Sequence, residues 1–249
     1  MHFLSEEEQA IGNRLELLWR GARETMREVS ALARACAKHA GEEAQTSEVC
    51  RSQHMLLGRV ADDLSGTLLL AAVGYEMQAV ALAACAFEAG HLSAHIGSDT
   101  IRAQEWLAWK SEKRMRWRID EIIEGALSNA GRYSPAAAKR QYIFYQGTCL
   151  AKHVNPLLQR SAPVADSELA RHLITDPEVT PSATNRAFTG VYVAGVSALL
   201  AAEVYIRACR RDRTMLTHQA ELLAPQWNLV AAAFEARRQA NKKKRQRDA

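Results

Sequence analysis

Only six prolines stand in 249 residues, and only 6% of the chain is aromatic. So little proline, beside 13 glycines in no Gly-X-Y order, excludes a collagenous chain or a proline-rich disordered one. Cysteine is scarce and odd in number, at positions 36, 50, 85, 149 and 209, with no Cys-x-x-Cys pair. That pattern argues against a disulfide framework and for a reducing compartment. The opening Met-His-Phe-Leu-Ser-Glu-Glu-Glu has no basic region ahead of an apolar stretch, so no secretory leader is expected and a cytoplasmic location is the default. No phosphate-cradling Gly-x-x-x-x-Gly-Lys, no Gly-x-Gly-x-x-Gly, no Gly-x-Ser-x-Gly and no His-Glu-x-x-His occurs. Nucleotide hydrolases, dinucleotide oxidoreductases and ordinary serine hydrolases lose their usual support. Strand-like alternation between turns is absent as well, and so is any repeat of 20–50 residues.

What is present favours helix. Alanine, leucine, arginine and glutamate are abundant, 48% of residues are hydrophobic and 24% charged. The chain is long enough for one sizeable buried core. The expected fold is all-α, a single bundle of six to eight helices over residues 1–236 with two central apolar helices, followed by a mobile basic tail at 237–249.

Charge is divided unevenly. The formal net charge is +4, with a sequence pI near 8.9. Seven basic residues, Arg237, Arg238, Lys242, Lys243, Lys244, Arg245 and Arg247, crowd into the last 13 positions. The remainder holds 25 basic and 27 acidic groups. The high pI therefore describes the end of the chain, and it does not imply a basic globular face. Attraction to nucleic acid or an acidic partner is expected through those seven residues.

Along the chain, Ser5 and Glu8 form a capping box that starts a long amphipathic helix ending near Gly41. Ser47 can cap the next, which runs nearly throughout 48–96 with Gly66 and Gly74 as possible bends. Residues 96–99 end it and cap a helix over 100–127, and Pro135 after Ser134 opens another. That helix stops before Pro156. Four prolines make 156–183 an irregular excursion. Helices are expected at about 184–211 and 213–224, with a last one from Pro225. The segments 67–87 and 188–206 are apolar enough to raise a membrane question. Glu76, Gln78 and Glu203 fall within them and the mean hydropathy is −0.24, so both read as core helices rather than spans.

Three constellations could carry chemistry. Glu88, His91 and His95 share one helix face, since their spacings are three, four and seven. Glu-x-x-His is half of a carboxylate-bridged di-iron arrangement, but no second copy exists. A mononuclear site could add Cys149 and His153, which are four apart. The plainer role is an imidazolium at the negative end of a helix, and no cofactor is expected.

Arginine followed by a histidine five to seven positions on resembles the motif of HEPN-type ribonucleases. That resemblance implies phosphate binding and assistance to ribose-hydroxyl attack. Arg34/His39, Arg213/His218 and Arg211/His218 fit the spacing. Arg211 with His218 is the best of them, because Asp212 supplies the polar residue that often follows. Three pairs are close to what chance supplies from 24 arginines and eight histidines.

The fragment from Tyr142 to Pro156 (YIFYQGTCLAKHVNP) contains Cys149, His153 and Asn155. With the apolar helix holding Tyr75, Glu76 and Glu88, and the tryptophan-bearing charged helix after it, it resembles a bacterial all-α family of unknown function. In that family a helix with a buried glutamate pairs with one ending in a His-containing turn before proline. The resemblance covers roughly residues 60–210 and implies no activity. It departs in one respect: 66–87 has no arginine ahead of its glutamate. His153 and Asn155 can close the helix end by hydrogen bonding. Glu76 needs a cationic partner if buried, with His153 or Arg207 as candidates. Trp106, Trp109 and Trp117 share a broad face beside basic residues, suited to packing or to base stacking. Together these features point to an accessory or interaction protein, acting as a homodimer or with another protein. A ribonuclease of a toxin or phage-defence system and a metalloprotein are the alternatives.

Overall fold

The structure, a computed structural model, describes residues 21–109, 117–152, 181–208 and 214–247. These hold eight helices and no strand: α1 (Ala22–Gly41), α2 (Glu48–Ala72), α3 (Glu76–Ile96), α4 (Thr100–Leu107), α5 (Ile119–Asn129), α6 (Pro135–Lys152), α7 (Pro181–Ala208) and α8 (Thr214–Arg247). The expected all-α bundle is what the chain forms. The capping box at Ser5 and residues 156–180 of the expected irregular excursion lie outside the described residues, while 181–183, expected to be irregular, already belong to α7.

Local chemistry sets the boundaries. Ser47 accepts from the Cys50 N–H at 3.2 Å and starts α2, and Asp99 accepts from the Ile101 and Arg102 N–H groups to start α4. Of the two possible bends, Gly66 stays helical and Gly74 breaks the chain at φ +88°. The Tyr75 N–H closes back on the Leu70 carbonyl at 2.9 Å, a Schellman ending that needs the left-handed residue. The apolar run 67–87 is therefore two pieces, and the central helix is α3.

α3 is apolar all round, and 15 of its 21 residues are buried. α7 runs beside it in parallel: Glu76 meets Arg186, Val80 meets Gly190, Gly90 meets Ser197 and Gly97 meets Val204. Small residues permit this approach. A Cβ on Gly90 would fall 2.6 Å from the Ser197 carbonyl oxygen. Both helices are long and apolar enough to cross a membrane by length and composition, yet most of each is buried inside the protein. α2 packs on α3, and α1 on α2 through Met26, Val29, Ala33, Cys36 and Ala40.

The carbonyls at the end of α3 are met by side chains from three other helices. Gln53 donates to Ser93 and Gly97, Asn129 to Ala94 and His95, and Arg102 to His95, all at 2.7–3.0 Å. This satisfies groups that would otherwise be buried without partners.

α8 differs from the two helices expected at its place. Pro225 sits inside one continuous helix of 34 residues. Proline removes a hydrogen bond there. Burial of Leu216, Leu223, Val230 and Phe234 on both sides holds the helix against the bundle. The helix also runs on through Arg247, so no break in backbone separates a body ending at 236 from the basic residues.

Candidate binding surfaces and cavity

The histidine face of α3 lies inside the bundle. His91 is fully buried, stacked on Phe87 at 3.7 Å, and its Nδ1 is 3.0 Å from the Phe87 carbonyl oxygen. Its Nε2 has no partner, and neither nitrogen of buried His95 has one. His95 packs edge-on against Trp117 at 5.1 Å and fills the space that a Cβ on Gly125 would take. Burial pushes both imidazoles down to about 4, His95 with further help from the Arg102 charge. They are neutral near pH 7, which corrects the expectation of an imidazolium at the helix end.

Glu88 turns elsewhere. The Tyr145 hydroxyl donates to its Oε1 at 3.5 Å and also bonds the Cys149 thiol, and burial first of all raises the tyrosine pKa. The structure thus gathers Glu88 and Cys149 around one phenol. Among the described residues no three His, Cys, Asp or Glu side chains are grouped so as to hold a metal ion. The Glu88, His91 and His95 set does not converge as the metal alternative needs. His153 and Asn155 lie outside the described residues.

Glu76 is buried and partnered, though not by Arg207, and His153 lies outside the described residues. Arg186 holds its carboxylate, with Nε at 3.0 and 2.9 Å. Arg207 instead pairs with Glu203 at 2.7 Å and donates to the Ala130 carbonyl at 2.6 Å. The sequence names Arg186 only to a reader who knows that α7 starts beside α3 and runs parallel to it.

Of the arginine–histidine pairs, only Arg34/His39 lies wholly among the described residues, and it does not assemble. Arg34 pairs with Asp62 at 2.9 Å on the surface, while His39 Nδ1 meets the Tyr205 hydroxyl at 2.6 Å. Five residues on a helix turn the chain through about 500°, which sets the two roughly 140° apart. His218 is exposed on α8, and Arg211 and Arg213 lie outside the described residues. Trp106 and Trp117 pack against the core, and Trp109 is largely exposed.

Among the described residues, three surfaces stand out as places to bind something. The first is the end of α8. By 100° per residue, positions 237, 238, 242–245 and 247 spread around the whole helix, beyond the buried Phe234. Val230 and Phe234 dock on the bundle, but Leu229 is 73% exposed. With Met215 at 67% and Leu222 at 60%, it forms an apolar stripe at seven-residue spacing on the solvent side. The second is a groove of about 600 Å³ between α1 and α2, where Arg23, Arg27, Arg34 and Lys38 stand over Leu68 and Leu69. The body as a whole is slightly acidic, so whole-body charge arithmetic hid this local basic face. The third is a half-open cavity of about 870 Å³ between α1, α5, α6, α7 and α8.

No protein-family model, curated protein or solved structure matches the chain.

Proposed function

We propose that the protein is an accessory protein that binds nucleic acid, or another polyanion, through the basic end of α8 and works as a homodimer. The single observation that carries the reading is the course of α8, one helix from the bundle surface through seven basic residues. From Phe234 to Arg247 the rise is about 20 Å. A helix end with basic residues on every side and no apolar face neutralises phosphates without reading bases. The exposed stripe Met215, Leu222 and Leu229 supports pairing with a second copy, since a seven-residue repeat is what a facing helix fits.

The test is retention on immobilised duplex DNA and single-stranded RNA as a function of salt. Binding through this end gives a log affinity falling linearly with log salt, by roughly 0.9 per phosphate neutralised on duplex DNA. Deleting residues 237–249 abolishes it and leaves the melting temperature nearly unchanged. Retention that survives the deletion and is lost in Arg27→Glu would move the site to the groove between α1 and α2 and overturn the reading.

A further inference from the structure

We propose that the groove between α1 and α2 docks an acidic amphipathic helix of a partner protein, its apolar face on Leu68 and Leu69 and its carboxylates along Arg27 and Lys38. The site is separate from the basic end of α8, and nothing in the reading above requires it.

The two helices run antiparallel: Ala37 meets His54, and Ser30 meets Ala61 and Ser65. The groove between them holds about 600 Å³, and its walls are unlike. The α1 wall carries Arg23, Arg27, Arg34 and Lys38. These are spaced by four, seven and four, so at 100° per residue they fall within about 60° of one another. The stripe they make is about 22 Å long, roughly four turns. The α2 wall carries Ser65, Leu68 and Leu69 and no cation.

The charge here is of one sign. Among the described residues, no acidic side chain lines the groove. Asp62 holds Arg34 at 2.9 Å from beside it. Glu24 and Glu28 lie roughly 70° and 110° round α1 from the middle of the stripe. Arg27 and Lys38 are exposed and form no ion pair among the described residues. Burial first, then the neighbouring Arg27 charge, hold the Arg23 guanidinium below its usual pKa. Cations gathered in this way repel one another, and negative charge from a partner relieves the repulsion.

The apolar half of the groove decides among anionic partners. Leu69 is 61% exposed beside the cations, and Leu68 is buried beneath it. The Ser30 and Ser65 hydroxyls are already satisfied by each other and by the Ala61 carbonyl. A phosphate backbone gains nothing from exposed leucine, and a bilayer surface is too flat to enter a groove. An amphipathic helix suits both halves. Its apolar side chains cover Leu68 and Leu69 and exclude water, while carboxylates along its flank meet Arg27 and Lys38.

The test uses full-length protein and three fluorescein-labelled helical peptides of one length. The first carries glutamates spaced by four, seven and four, as the cations are, with a leucine directly after each. The second has lysine for the glutamates, and the third has serine for the leucines. Fluorescence anisotropy should show the first binding one to one, at least about tenfold tighter than either of the others. Arg27→Glu combined with Lys38→Glu should reverse the preference towards the lysine peptide. Leu69→Ser should remove the advantage over the serine peptide. All three side chains are exposed, so the melting temperature should hold in each variant. Equal binding of the first two peptides, or of the first and third, would overturn the proposal. Binding of the first peptide that survives the double charge reversal would place it elsewhere, the basic end of α8 included, and overturn the site. Displacement of the peptide by a short DNA duplex would make the groove a nucleic-acid site. A concentration-dependent dimer lost in Arg27→Glu would make it an interface between copies, and either result would overturn the partner helix. None of these readouts requires residues 237–249, so such a failure leaves the reading of α8 standing.

Discussion

Arg186 grips Glu76 from 110 positions further along the chain, through Nε at 3.0 and 2.9 Å and Nη2 at 2.5 Å. Glu76 is the first residue of α3, where a carboxylate also suits the positive end of the helix dipole. The pair fixes the start of α7 beside the start of α3, and so the parallel register of the two central helices.

The two partners are not equally buried, and this predicts unequal costs of losing them. The Glu76 side chain is 9% exposed and that of Arg186 32%. Removing the arginine strands a carboxylate that water cannot reach, so Arg186→Met should destabilise by about 3–5 kcal/mol. Removing the glutamate leaves a guanidinium that is already one-third exposed and can hydrate, so Glu76→Gln should cost less, about 1.5–3 kcal/mol. Urea melts of both variants check the order. The reverse order, or two losses under about 0.5 kcal/mol, would show that the pair does not hold the register.

Acid should loosen the bundle through His91 and His95. Both are held near 4 when folded, against the usual 6.5, because burial opposes their charged forms. The unfolded chain therefore takes up protons first as pH falls. The stability they allow is complete above about pH 6.5 and is lost as pH falls towards 4, by up to roughly 3 kcal/mol for each imidazole. The urea midpoint should drop between pH 7.5 and 5, and His91→Leu should remove part of that drop. A midpoint flat over the range, or a drop identical in the variant, would place the histidines in water.

Glycine substitutions separate close packing from mere flexibility. Gly90→Ala pushes a methyl onto the Ser197 backbone, which cannot step aside, and should cost about 1–3 kcal/mol or more. Gly58 lies in α2 with nothing near the place of its Cβ. Gly58→Ala should stabilise by roughly 0.5–1 kcal/mol through helix propensity alone. Thermal melts of the two variants check the contrast, and equal effects would contradict the close approach of α3 and α7.

Much of the fold was legible because it rests on local chemistry. Ser47, Asp99 and Pro135 announce helix starts, and the apolar circumference of 76–96 announces a central helix. What depends on distant partners was not legible. Arg186 carries no local sign that it belongs to Glu76, and His91 and His95 carry no sign that Phe87, Trp117 and Gly125 exclude water from them. The cavity is lined by five helices, with Gln141 and Trp227 brought to it by packing alone. Pro225 read as a boundary because proline normally ends helices, and the buried residues on either side of it overrule that preference.

The stripe on α8 leads to the last expectation. Met215, Leu222 and Leu229 are spaced by sevens and exposed, while the residues directly after them, Leu216, Leu223 and Val230, are the ones that dock on the bundle. The stripe therefore faces away from the core. A second copy in antiparallel orientation centres on Leu222, sets Met215 of each copy against Leu229 of the other, and keeps the two basic ends at opposite extremes. A parallel pair would bring those ends together and be opposed by charge. Three side chains make a small interface, so the dimer should form only at tens of micromolar or above. Sedimentation should show a concentration-dependent dimer that raised salt does not break, because its contacts are apolar. Leu222→Lys should abolish it while changing stability by less than about 0.5 kcal/mol, the side chain being exposed already. A monomer throughout the concentration range would remove the second copy as the occupant. A large loss of stability in Leu222→Lys would mean that the stripe packs against this same chain.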